Sequence, residues 1–509
     1  MDRRGFLQTT GGAASALALA NLSCGEGRRP PNVVVVFTDQ FRAFEAGCYG
    51  HPVVQTPHID RLAEGGFRFD VGVTNSPVCS PARANMLSGQ YARTSTGSIE
   101  NVGSIGTSRT RFPDPTMPEI FRDAGYDTGH VGKWHVHLDP FLIGFDYAYY
   151  PVEIPHRYYG REMREAWREK GKLSTDTGER AVADGFMPQK AGEKMREYIR
   201  SHKDEPFFLN YCISLPHMPI GPGNLPEKYV GMYDRNDVVL RNNVWKDGEL
   251  SRDEWWFKIY MIWDYYWRTR GGGGGEIPTD QLPDGFDLRD LYARYYEAVT
   301  CTDDLVGEVM AALEENGIAD NTIVVLSSDH GDLLGSHDAY NKDRVWEEAI
   351  RVPMIYHYPD GWGKGETAKQ VASNVDILPT VLAACGLDIP GHVQGQNLLP
   401  VIRQERPVLD RDYAFIEVKG YSCCHWVLPR SQMGIRTPTH KYGIELEEDE
   451  RAVRDDRWLF HDLRDDPFEL NNLASAGVQA GLADELREKV VEWHGATPWS
   501  EVTDELPGL

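Results

Sequence analysis

Four apolar runs in this chain each end in a polar cluster, and that arrangement restricts the fold more than any other feature. They are "NVVVVFTDQ" (32 to 40), "YDTGHVGKWHVH" (126 to 137), "PFFLNYCISLPHMP" (206 to 219) and "NTIVVLSSDHGD" (321 to 332). Their length and near-continuous apolar character read as strands buried on both faces. Helical patterns separate them: "PEIFRDAG" (118 to 125), "AGEKMREYIRSH" (191 to 202) and the run from 292 to 317. Strands alternating with helices predict an α/β fold, a large doubly wound, mixed or parallel sheet sandwiched by helices. In such sheets the carboxyl ends of the strands face the ligand crevice. Asp39 with Gln40, Lys133 with His135, His217, and Asp329 with His330 are therefore expected to converge. Taken singly, each reads more readily as a turn residue, a helix cap or a solvated side chain; the agreement of four strand ends carries the expectation.

Lys and Arg number 53 against 77 Asp and Glu among 509 residues, a net charge of −24. Such a field disfavours nucleic acid and anionic membrane surfaces, so an anionic substrate needs a local positive pocket. The start, "MDRRGFLQTTGGAASALALANLSCG", joins Arg3 and Arg4 to Phe6-Leu7 and a small-residue apolar stretch too short to span a bilayer. It resembles a twin-arginine export signal over residues 1–30, which implies a bacterial protein exported to the periplasm or beyond; an ordinary amino terminus is the alternative. Cys24 stands where a lipoprotein carries its lipid, although Asn21 occupies a position usually aliphatic, and both readings stay open. The other cysteines, Cys48, Cys79, Cys212, Cys301, Cys385, Cys423 and Cys424, are scattered without a CxxC pair, which argues against a disulfide-stapled scaffold.

Cys79 has the most informative setting. In "NSPVCSPARANMLSG" (75 to 89), Pro81 suits a first helical turn and Gly89 a helix end, so Cys79 falls at the positive end of a short helix with Arg83 one turn on. From these residues alone a disulfide half, a metal ligand, a nucleophile and a buried small hydrophobe all remain, burial being the commonest fate of a cysteine.

Cys79-Ser80-Pro81-Ala82-Arg83 matches the Cys-x-Pro-x-Arg signature of the type I sulfatases. "FTDQ", "GKWHVH", "LPHMP", "SSDHGDLLGSHDAYNKDRVWEEAIRVPMI" and "LFHDLRDDPFELNNLA" accompany it along the chain. The chain thus resembles that family over nearly its whole mature length. The resemblance implies that a maturation enzyme oxidises Cys79 to Cα-formylglycine. It implies that Asp39, Gln40, Asp329 and His330, with an oxygen of modified Cys79, hold a divalent cation, usually calcium. Arg83 and Lys133 would hold the aldehyde hydrate and the sulfate, His135 would contact the hydrate, and His217 and Lys342 would lie on the leaving-group side. Gln40 and His330 replace the aspartate and asparagine of many members; imidazole is an atypical calcium ligand, so manganese or another softer ion stays open. The same pairing is similar to choline sulfatases and to formylglycine-dependent phosphonate monoester hydrolases.

The resemblance places a catalytic domain at 31–404, with an insertion at 224–286, and a carboxy-terminal α+β subdomain at 405–509, an antiparallel sheet with a helix near 480 to 495. Arg436, His440 and Lys441 there read either as substrate contacts or as a solvated strand face. Trp256, Tyr260, Trp263 and Trp267 fall on one helical face, either a wall for sugar rings or another subunit, or a core-packed helix. Gly271 to Gly275 read as a flexible loop. The expected substrate, by association alone, is a sulfated carbohydrate; nothing in the sequence fixes the oligomeric state.

Overall fold

The computed structural model describes residues 29–101, 112–136, 138, 140–150, 186–218, 220, 224–244, 287–337, 339–358, 362–420, 430–447, 452–454 and 459–500. The amino-terminal signal with Cys24, the stripe from Trp256 to Trp267, the glycines at 271 to 275, and Cys423 and Cys424 lie outside the described residues.

Eight strands form the main sheet: β1 (Asn32–Asp39), β2 (Phe67–Val73), β3 (Asp127–Gly132), β4 (Tyr147–Tyr149), β5 (Phe207–Pro216), β6 (Thr322–Ser328), β7 (Met354–His357) and β8 (Glu366–Ser373). Their order is β4-β3-β5-β1-β6-β7-β2-β8. All pairings are parallel except the two made by β7, which runs against β6 and β2.

β1 shows why the sequence folds this way. All eight of its residues are buried. Val34 and Val36 face one core with Tyr295, Val299 and Val306 of the 28-residue helix α5 (Leu288–Glu315). α1 (Pro57–Gly65) and α4 (Met187–His202) close that layer. Val33, Val35 and Phe37 face the opposite core, with α2 (Cys79–Ser88), α3 (Met117–Asp123) and α6 (Ile377–Ala384). A strand covered on both faces has no polar side to show, hence the unbroken valine run.

A second, four-stranded antiparallel sheet, β12-β11-β10-β9, is built from β9 (Ala414–Val418), β10 (Gln432–Arg436), β11 (His440–Glu445) and β12 (Leu459–Asp462). One face takes α7 (Ala480–Ala496) through Met433, Ile435, Tyr442, Leu486, Val490 and Trp493. The other, through Ala414, Ile416 and Leu459, packs on Val73, Val345 and Val371 of the main domain. The architecture is thus the large mixed sheet with helices and the smaller antiparallel sheet with a helix that the sequence predicts. Cys48, Cys79, Cys212, Cys301 and Cys385 are free thiols, and no helix among the described residues is long and apolar enough to cross a membrane.

Candidate active site

β3, β5, β1 and β6 are consecutive in the sheet, so the four polar clusters at their carboxyl ends are neighbours. The carboxyl ends of these parallel strands are the usual place for a ligand in an open α/β sheet. Register brings the ends level: Thr38 pairs with Ser328, and Asp39 with Pro216 after an irregularity beyond Phe37. Gly132, which ends β3, has φ +101, and a Cβ there would lie 2.0 Å from the Cys212 carbonyl oxygen. That close approach needs glycine, and it lets the Lys133 amide donate to the same carbonyl at 3.0 Å. Gln40 and His135, both non-glycine, also sit in left-handed backbone at φ 65 and 50, as residues held in place at functional sites often do.

Cys79 opens α2, and Gly89 closes it in left-handed conformation at φ 64. The Ser80 amide in the first turn donates to Asn101 Oδ1 at 3.0 Å. Cys79 is 1% exposed. Around its Sγ stand Lys342 Nζ at 3.0 Å, His330 Nε2 at 3.3 Å and Lys133 Nζ at 3.6 Å. Burial alone would raise the thiol, but Lys133, Lys342 and His330 outweigh it, with a hydrogen bond from His135 adding to them, and hold it well below its ordinary range. The pocket favours an anion on the side chain of residue 79, which is what a nucleophile here requires.

Asp39, Cys79, Asp329 and His330 bring one ligand atom each to within 4.8 Å of one another, all buried. His330 Nδ1 lies 2.7 Å from the Gly331 carbonyl oxygen. A carbonyl only accepts, so Nδ1 carries a proton, and Nε2, 3.5 Å from Asp329 Oδ1 and 3.8 Å from Asp39 Oδ1, is the atom that could give a lone pair to a cation. Gln40 donates its main-chain amide to Asp329 Oδ1 at 3.0 Å, and its buried Oε1 has no hydrogen-bond partner among the described residues. Two carboxylates, an imidazole lone pair and an uncommitted amide oxygen suit a divalent cation. The oxygens fit calcium, and the imidazole also admits manganese.

The remaining cations divide their work. Arg83 donates through Nη2 to Asp329 at 2.7 Å and Asp39 at 3.2 Å, and through Nη1 to the Lys133 carbonyl at 3.4 Å. The resemblance expects it to hold hydrate and sulfate; here its buried guanidinium also holds the two carboxylates in place. Lys133 is ion-paired with Asp39. His217, half-buried, donates from Nδ1 to the Met218 carbonyl at 2.6 Å, which leaves Nε2 as its titrating atom. Burial pushes its pKa well down, opposed by Asp39 and reinforced by Lys342 and Lys133, so all three lie within electrostatic reach.

The carboxy-terminal candidates are corrected. Arg436 is buried and bidentate to Glu347 at 2.9 and 3.0 Å. His440 is buried between Gln479 Oε1 at 2.9 Å and Asp462 Oδ2 at 3.3 Å. Lys441 lies between Glu347 and Glu469. Arg436 and Lys441 belong to a buried ionic seam around Glu347, and His440 is buried in a separate contact with Gln479 and Asp462, so the three do not form a solvated face. Sequence reading missed that seam. It also missed Asp332, which accepts from Gln40, and Asn101, although Asp332 lies in the same "SSDHGD" as Asp329 and His330.

The chain matches the family described as Sulfatase over residues 31–387, and that described as N-sulphoglucosamine sulphohydrolase, C-terminal, over residues 335–495. It is 30% identical to an ulvan-active sulfatase of Formosa agariphila across 90% of this chain and 80% of that protein. It is 28% identical to an N-acetylglucosamine-6-O-sulfatase of Bacteroides thetaiotaomicron across 94% and 89%. Its fold is similar to that of a phosphonate monoester hydrolase of Agrobacterium radiobacter, with a TM-score of 0.70 at 21% identity over 93% of this chain and 98% of that one. With the family profile spanning the whole crevice and the strand ends gathered around Cys79, the chain belongs to the type I sulfatases of the alkaline phosphatase superfamily and is a sulfuric ester hydrolase.

Proposed function

We propose that this sulfatase removes sulfate from sulfated carbohydrates, using a formylglycine made from Cys79 and a divalent cation held by Asp39, Gln40, Asp329 and His330, and that it acts after twin-arginine export. The observation that carries the chemistry is the ring of Lys342, His330 and Lys133 around the Cys79 side chain at the amino end of α2. Support for the substrate class comes from the two relatives above, one named for ulvan and one for N-acetylglucosamine-6-O-sulfate.

A sulfate ester is displaced in line at sulfur, and negative charge grows on the leaving oxygen. A formylglycine hydrate at residue 79 would supply two hydroxyls, one to attack sulfur and one whose deprotonation would expel sulfate by breaking the carbon–oxygen bond, and a cation held by Asp39, Gln40, Asp329 and His330 would supply fixed positive charge. Lys133 and Lys342 add side-chain charge at the same point in a closed pocket, where it counts for most. Arg83 keeps Asp39 and Asp329 aligned. His135, bonded to residue 79, is placed to take the second hydroxyl's proton, a step worth on the order of 10² to 10⁴, and His217 would lie on the leaving-group side. Lys342→Ala is expected to lower kcat by about 10² to 10³ while leaving the fold intact, measured by sulfate release; a variant with unchanged kcat contradicts its role.

The deciding experiment is sulfate release by matured protein from a panel of sulfated oligosaccharides, with an aryl sulfate and an aryl phosphonate monoester alongside and Cys79→Ala as the blank. Rapid release from one sugar class supports the reading; a preference for the phosphonate ester overturns the substrate class while leaving the site in place.

A further inference from the structure

We propose that Asp332 is a positioning residue that fixes the side-chain amide of Gln40 so that its oxygen, rather than its nitrogen, is presented as a cation ligand. This rests on the cation-dependent reading of the site given above.

The argument begins with hydrogen-bond polarity. An ionised carboxylate only accepts, and Gln40 Nε2 lies 2.7 Å from Asp332 Oδ2, both residues being fully buried. The amide must therefore turn its NH₂ toward Asp332 and Oε1 away from it. That Oε1 is buried with no hydrogen-bond partner among the described residues, an arrangement buried carbonyl oxygens rarely keep without another ligand. Asp332 is itself held, since its Oδ1 accepts from the Leu334 amide at 3.2 Å.

The backbone of Gln40 is pinned on both sides. Its amide donates to Asp329 Oδ1 at 3.0 Å, its carbonyl accepts from Tyr295 Oη at 2.6 Å, and its φ is 65. Main-chain placement thus comes from Asp329 and Tyr295, leaving the amide's rotation as the remaining freedom, and Asp332 removes it. Without Asp332, a glutamine could offer the cation a donor NH₂ as readily as an acceptor oxygen. Outer partners of this kind typically change metal affinity about 10- to 100-fold when altered.

Calorimetric titration of calcium chloride, and in parallel manganese chloride, into the chelator-stripped full-length protein tests this without turnover. Asp332→Asn preserves shape but presents NH₂ or oxygen equally, and is expected to weaken binding about 10- to 100-fold. In a Gln40→Ala background the same substitution should change affinity less than about twofold, because the contact it acts through is gone. The exchanged pair Gln40→Glu with Asp332→Asn should bind more tightly than Gln40→Glu alone, since the introduced amide can donate to the new carboxylate where Asp332 would repel it. Wild-type affinity in Asp332→Asn, an equal loss in the Gln40→Ala background, or no gain in the exchanged pair overturns the role of Asp332 alone. A wild-type protein that binds neither ion overturns the cation reading beneath it.

Discussion

Cys79→Ser protein, verified by mass spectrometry to carry unmodified serine, is expected to fold as the parent does and to lose about 10⁴-fold or more in sulfate release, the scale seen when a nucleophile is removed. The exchange of sulfur for oxygen is small, and Lys342 and His330 around Sγ can hydrogen-bond an oxygen as well, so thermal stability should hardly move. Serine fails for a chemical reason. Its single hydroxyl can attack sulfur, but the sulfate ester left behind has no neighbouring hydroxyl to expel it, and a second, harder attack at sulfur is needed. A burst of one product equivalent followed by arrest is the kinetic form this takes. Normal steady turnover by the serine protein would sink the mechanism.

Glu347→Ala is expected to give the largest loss of stability, about 3 to 5 kcal/mol, the cost of breaking a buried ion pair by removing one partner. Glu347 lies a short way beyond Lys342 in the chain and takes both arms of Arg436, with Lys441 Nζ at 3.5 Å. Burial would raise its carboxyl, and Arg436 and Lys441 overcome that and hold it far below the usual carboxylate range. Its main-chain amide donates to Glu469 at 2.8 Å. Removing the carboxylate strands the buried Arg436 guanidinium and leaves Lys441 with Glu469 alone in the seam joining the two sheets. Denaturant unfolding should show the loss directly, whereas a Glu347→Ala protein as stable as the parent would mean that the seam contributes nothing to docking.

How much of this was legible in the sequence depended on the range over which each pattern acts. A doubly covered strand must be apolar throughout, so Val33 to Phe37 announced itself, and the polar residues just past such strands could be placed without coordinates. Pro81 and Gly89 marked α2 by local backbone preference. β2, β4, β7 and β8 were not singled out, being shorter or less uniformly apolar, and the antiparallel course of β7 leaves no local trace. Arg436, His440 and Lys441 misled because a strand bearing cations reads as solvated; their acidic partners come from distant stretches, Glu347 standing 94 residues before Lys441. Asp332 was overlooked because its value depends on the amide it faces 292 positions away.

The placing of β1 between β5 and β6 has a consequence in time. Asn32 meets Thr322 across 290 positions, so at ordinary rates of synthesis on the order of tens of seconds pass before the second neighbour of β1 exists. Throughout that interval the central strand keeps a bare edge, open to pairing with other chains. His330 and Lys342, which help close the pocket over Cys79, are among the later residues made, and the cysteine that is shut away in the finished protein stays within reach of the surroundings until they arrive.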